Sequence, residues 1–206
     1  MKQKLLLLVA VGFAVGLTFP YVSLDSADSR LAVQPGLHYA VLVVHIFTAA
    51  VALVVGPLQF MPRVRARRRL HRVLGRVYLL GGVLPSALAT VPVAIWSGRP
   101  LTQVGLTTAA VLWLGTGVLA YRAARRRDFT AHRAWMMRNY ALTLLAVTAR
   151  LLVPLLILTQ LPFGGAPDPK ALIPVGQTLG WIVNLIVAEL LIRRASASRG
   201  SPAVAR

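Results

Sequence analysis

GPLQFMPRVRARRRLHRVLGRVY at residues 56–78 and GVLAYRAARRRDFTAHRAWMMRNY at residues 117–140 are two versions of one segment. A shift of 61 brings Gly56 onto Gly117, Leu58 onto Leu119, Phe60 onto Tyr121, Arg65 onto Arg126, His71 onto His132 and Arg72 onto Arg133. One inserted residue later, Arg76 and Tyr78 meet Arg138 and Tyr140. Each version is the end of an apolar helix, an arginine-rich turn, and a His-Arg pair that opens the next apolar helix. The segment therefore sets a hairpin of two long helices, and the chain makes that hairpin twice.

The surrounding composition says what those helices are. Of 206 residues, 57% are hydrophobic and 14% charged, and the mean hydropathy is +0.69. That balance belongs to a polytopic membrane protein. The acids are Asp25, Asp28, Asp128, Asp168 and Glu189, against 23 lysines and arginines, for a net charge of +18. Such a charge in a soluble chain points to nucleic acid. Here the arginines flank apolar spans, so anionic phospholipid headgroups are the expected partner and nucleic acid is not. Cysteine is absent, which excludes disulfides, thiolate metal sites and a cysteine nucleophile.

A spanning helix takes about 20 apolar residues. Six stretches qualify: Leu5–Tyr21, Leu37–Phe60, Val73–Trp96, Leu101–Tyr121, Ala134–Leu161 and Ala171–Ile192. The first resembles a signal peptide, with Lys2 and Lys4 before a Leu/Val run, but lacks a small-residue cleavage site and is read as an uncleaved span. Basic residues follow the spans in alternation. Lys2 and Lys4, Arg63 to Arg76, Arg122 to Arg138 and Arg193 to Arg206 fall on one side. The exceptions are Arg30, Arg99 and Lys170 on the other side and Arg150 within a span. This places both termini in the cytoplasm of a bacterial cell and the protein in the inner membrane. Residues 1–194 form one membrane domain with repeats at 37–96 and 101–161; residues 195–206 read as a disordered tail.

Two repeats running in the same direction are commonly related by an axis along the membrane normal. The expected fold is all-α and integral to the membrane. Its six transmembrane helices comprise a pseudo-twofold core of helices two to five and flanking helices one and six. Gly81, Gly82, Gly115 and Gly117 are expected to let helices approach closely. Pro85 and Pro92 are expected to kink the third helix. The four tryptophans read in part as interfacial anchors.

GPLQF, HRVLGRVY and HRAWMMRNY, with His45 inside the preceding helix, resemble an uncharacterised family of bacterial multi-pass membrane proteins, a domain of unknown function, over residues 37–155. A weaker likeness is to transmembrane b-type cytochromes, whose helical cores carry histidines on facing helices. The chain departs from that pattern in having no histidine in its fourth helix.

Several residues carry candidate chemistry. His71 and His132, equivalent by repeat, are candidate axial ligands to the iron of one haem b, since haem iron accepts two neutral imidazoles. Arg72, Arg76, Arg133 and Arg138 are then candidate propionate partners. The simpler reading of both His-Arg pairs is a headgroup contact or a capped loop. His45 lies eight residues into its helix, roughly 12 Å from the outer end, where an ionisable group is a functional hypothesis. Arg150 is mid-span with no carboxylate at its depth, so it is expected to find backbone carbonyls, water or an anionic or carbonyl-bearing ligand such as a quinone, or to snorkel outward. His38 is placed at the outer interface as a solvated residue. Asn184 reads as packing glue within the bundle, and Glu189 with Arg193 as a helical i,i+4 pair. Nothing resembles a Ser-His-Asp arrangement or a phosphate-binding loop, and the spans lack the central acids of a proton relay. The leading expectation is a redox role with haem or quinone. Set beside it are a non-enzymatic membrane protein binding anionic lipid or a small hydrophobic ligand, and a small transporter subunit.

Overall fold

The computed structural model describes residues 2–31, 33–160 and 168–200. These form helices α1 (Lys2–Thr18), α2 (Leu37–Phe60), α3 (Pro62–Ala66), α4 (Arg68–Arg76), a π-helix (Val77–Val83), α5 (Leu84–Trp96), α6 (Pro100–Arg125), α7 (Phe129–Thr143), α8 (Leu145–Gln160) and α9 (Pro169–Gly200). Among the described residues five helical stretches are long and apolar enough to span a membrane. The bent pair α7–α8 makes a sixth where it counts as one span. The chain divides into two compact units, Met1–Leu114 and Gly115–Arg206. The division falls inside α6.

In the first unit α2 packs against α1, the π-helix and α5. The close approach is made at Gly82, where an added Cβ would lie 2.9 Å from the Cβ and backbone nitrogen of Ala52. Of the glycines expected to serve this role, Gly81 and Gly115 do not, because nothing lies within 4 Å of either. Both fall on the exposed side of their helices. The expected irregularity in the third span takes a definite form. Pro85 has no N–H for the carbonyl of Gly81, and the chain meets it with the wide-turned π-helix just before, a form that lets a helix absorb such a mismatch.

In the second unit α9 packs along α8 and α7. A stripe at four-residue spacing on α9 makes the contact. At Gly176 an added Cβ would meet Val153 Cγ2 at 2.5 Å, and at Gly180 it would meet Ala149 N at 3.3 Å and Leu145 O at 3.4 Å. Asn184 and the buried Ala188 continue the line. This is the small-residue interface of membrane helices, and its Gly-x-x-x-Gly signature stands in the sequence at 176–180. The fifth span, expected as one helix over 134–161, is broken at Leu144 (φ −75°, ψ −2°) with a 48° bend between α7 and α8. The hydroxyl of Thr143 donates back to the carbonyl of Asn139, a bond that competes with the helical ladder and bends helices.

α9 continues to Gly200, past the limit of Ile192 expected for the sixth span. Alanine at 195 and 197 favours this, and Ser196 Oγ donates to the Ile192 carbonyl. The rest of the tail, 201–206, and residues 161–167 between the fifth and sixth spans lie outside the described residues.

Candidate functional site

The two arginine turns are each closed by their histidine. In the first unit α2 ends at Phe60, and α3 and α4 fold the chain back so that His71 reaches Gln59. The buried Gln59 amide is oriented with its nitrogen toward His71. It donates to Nδ1 at 2.9 Å and to the His71 carbonyl at 3.2 Å, while its oxygen accepts from Gly75 N–H at 3.3 Å. The opposite orientation would set carbonyl against carbonyl. In the second unit His132 Nδ1 donates to the Ala120 carbonyl at 2.9 Å. The partner is twelve residues back in both cases, and Gln59 and Ala120 are related by the same shift of 61 as the histidines.

The chemistry of the two rings nevertheless differs. A carbonyl only accepts, so His132 carries its hydrogen on Nδ1 and its lone pair on Nε2. His71 accepts at Nδ1, so its hydrogen is on Nε2. Haem iron bound through Nε2 needs the His132 form at both positions. The residues present thus fit one half of a bis-histidine site and not the other.

The arginines around these rings are asymmetric too. Arg63, Arg65, Arg67, Arg68, Arg69, Arg72 and Arg76 are all exposed, and no acidic residue lies between them in sequence. In the second turn Asp128 caps α7 by accepting from Ala131 N–H at 2.9 Å. Arg133 is exposed, whereas Arg138 turns inward. It donates through Nε and an Nη to Glu189 at 3.1 and 2.7 Å and lies over the Trp135 ring at 4.7 Å. Glu189 also meets Arg193 at 3.4 Å, so the helical pair expected from sequence is the weaker arm of a three-residue cluster. We expect Glu189→Gln to lower stability in detergent by about 1 kcal/mol, since it weakens a charge-assisted pair that is only partly solvated. Arg193→Gln should change thermal unfolding much less, because Arg193 is 76% exposed; equal effects would mean that Arg138 is not the principal partner.

Within the spans, polar side chains gather in two places. In the first unit His45 Nδ1 lies 3.1 Å from the Ser86 carbonyl, from Ser86 Oγ and from Thr90 Oγ1. In the second, Asn184 Nδ2 donates to the Ala141 carbonyl at 3.0 Å and Asn184 Oδ1 accepts from Thr148 Oγ1 at 2.8 Å. Nearby, the buried Asn139 donates to Thr116 Oγ1 at 2.9 Å. Arg150 is exposed and donates to the Ala146 carbonyl one turn back at 2.9 Å, so its guanidinium is drawn toward the start of α8 and not toward its end. His38 packs against Trp96 with the rings tilted by 48° and their centroids 4.7 Å apart. The pair helps line an open cleft of about 600 Å³ with Val33, Gln34, Pro35 and Leu37. Among the described residues no three of His, Asp and Glu converge to hold a metal ion. Sequence reading missed Ser86, Thr90, Thr116, Asn139 and Thr148. Isolated hydroxyls and amides in apolar helices give no periodic signal, though each costs free energy in hydrocarbon unless it is bonded.

Helices of this length and apolarity, ending in arginine turns and bonded internally through a few polar side chains, define a multi-pass α-helical membrane protein. The chain belongs to the family described as predicted membrane protein (DUF2306), whose family model matches residues 42–192. No curated protein and no solved structure matches it.

Proposed function

We propose that this protein binds anionic lipid at its arginine turns, the first of them the principal site. The observation that carries the reading is the exposed, acid-free set of seven arginines between Arg63 and Arg76, on a turn closed by Gln59 and His71. Guanidinium groups pair well with phosphate oxygens, and each basic residue near an anionic leaflet contributes about 1 kcal/mol. In this reading both histidines serve their own turns, and the shared twelve-residue spacing supports a repeated hairpin. A bis-histidine haem is not adopted, because His71 holds its hydrogen on the nitrogen that iron would need.

Phosphatidylglycerol added to the detergent-solubilised protein should raise its thermal stability where phosphatidylcholine does not. Replacing Arg67, Arg68 and Arg69 together with Gln should weaken phosphatidylglycerol binding on the order of a hundredfold at low salt, and less as ionic strength rises. The matching replacement of Arg125, Arg126 and Arg127 should do less, because Asp128 already lies beside that turn. Equal stabilisation by the two lipids would refute the assignment.

A further inference from the structure

We infer that His45 is a hydrogen-bond acceptor for a lipid-soluble ligand that carries a hydroxyl group, held within the apolar thickness of the first unit. This goes beyond the headgroup reading and stands on different residues. The Ser86 carbonyl, 3.1 Å from Nδ1, can only accept, so Nδ1 carries a hydrogen. The neighbouring hydroxyls reinforce this. Thr90 Oγ1 donates its one hydrogen to the Ser86 carbonyl at 2.8 Å, and Ser86 Oγ donates its own to the His45 carbonyl at 3.2 Å. Both oxygens then face Nδ1 with lone pairs, at 3.1 Å each. Three acceptors converge on one N–H, which fixes both the tautomer and the orientation of the ring.

The consequence lies on the other nitrogen. In the neutral ring Nε2 keeps its lone pair and can only accept. The ring is half-buried, with exposed Val44 beside it in sequence and exposed Leu84 and Leu88 on the helix that holds it. It lies eight residues into the apolar α2, where hydrocarbon offers no hydrogen to an acceptor. A fitting ligand is therefore neutral, soluble in the bilayer and a hydrogen donor. A quinone or an ester carbonyl has no hydrogen to give, and an anionic headgroup is excluded by charge and depth. A hydroquinone ring and a long-chain alcohol both satisfy these terms. Binding involves one O–H···Nε2 hydrogen bond and no bond cleavage.

The test uses the full chain, labelled with ¹⁵N-histidine in lipid nanodiscs, and reads the imidazole nitrogens, with His45 assigned by its loss in His45→Phe. The ligand-free spectrum should show His45 protonated on Nδ1 and bare on Nε2. A decyl-substituted hydroquinone and farnesol are added separately, with the matching quinone as control. A shift of the Nε2 resonance by either donor supports the inference, and the arm that responds identifies the source; the quinone should leave it unchanged. His45→Phe should weaken binding of the responding donor about tenfold, the worth of one hydrogen bond. A ligand-free His45 protonated on Nε2, an equal response to the quinone, or no response to either donor would each overturn it. These readings come from the unsubstituted chain; where His45→Phe does not fold, His45 is assigned as the signal retained in each of His38→Gln, His71→Gln and His132→Gln.

Discussion

Gly82→Val is expected to disrupt the first unit, lowering stability by about 3 kcal/mol or more, while Gly81→Val one position earlier changes it by about 1 kcal/mol at most. The difference is steric. A Cβ at residue 82 meets the Ala52 backbone nitrogen at 2.9 Å and its Cα at 3.0 Å, whereas nothing lies within 4 Å of residue 81. Backbone atoms have no rotamer by which to escape, so α2 and the π-helix must separate. That separation would also loosen the contact between His45 on α2 and Ser86, four residues beyond Gly82. In a bilayer no hydrophobic force draws apolar helices together, and close packing is most of what holds them. Thermal unfolding of both variants in one detergent reads the contrast directly. Similar melting temperatures for the two would mean that this approach does not hold α2 in place.

This contrast marks where the sequence was informative and where it stopped. The spans were legible because each needs a long apolar run, and Leu37–Phe60 has the same limits in sequence and structure. The arginine turns were legible because charge is costly inside the bilayer and gathers at the ends of spans. Which of two adjacent glycines faces a neighbour was not legible, since that depends on the rotation of the helix. The π-helix over 77–83 was only partly visible: Pro85 announces an irregularity, but the way it is absorbed depends on α2 packing beside it. The break at Leu144 was not visible, for no proline or glycine stands there.

Those two irregularities stand in a relation that neither shows alone. A shift of 62, the register after the inserted residue, carries Val77–Val83 onto residues 139–145, which contain the break. It also carries Tyr78 onto Tyr140, Ser86 onto Thr148 and Pro92 onto Pro154. Both tyrosines are buried. Ser86 and Thr148 each bond a polar side chain of a neighbouring helix, His45 in one case and Asn184 in the other. At this register each returning helix is irregular at the corresponding place. The polar partner differs, and it comes from the helix before in one case and from the helix after in the other.

Asn184→Leu therefore tests what the second break needs. A bend at Leu144 disturbs the helical ladder around the Ala141 carbonyl, and in a span no water is there to bond it. Asn184 Nδ2 donates to that carbonyl, and Asn184 Oδ1 takes the hydrogen of Thr148. One side chain on α9 thus joins the two halves of a span bent by 48°. Leucine fills the space and removes both bonds, at a cost of about 2 kcal/mol if each contributes about 1 kcal/mol, within the range measured in membranes. Thr148→Val removes one bond and should cost about half as much, because the hold on Ala141 remains. The readout that separates a staple from ordinary packing is the shape of the span. Spin labels at Arg133 and Leu158, both exposed, should move apart in Asn184→Leu as the ladder re-forms and the span straightens. They should keep their separation in Thr148→Val. An unchanged distance in Asn184→Leu, at whatever stability, would mean that the bend is set by Thr143 and the local chain and that Asn184 only follows it.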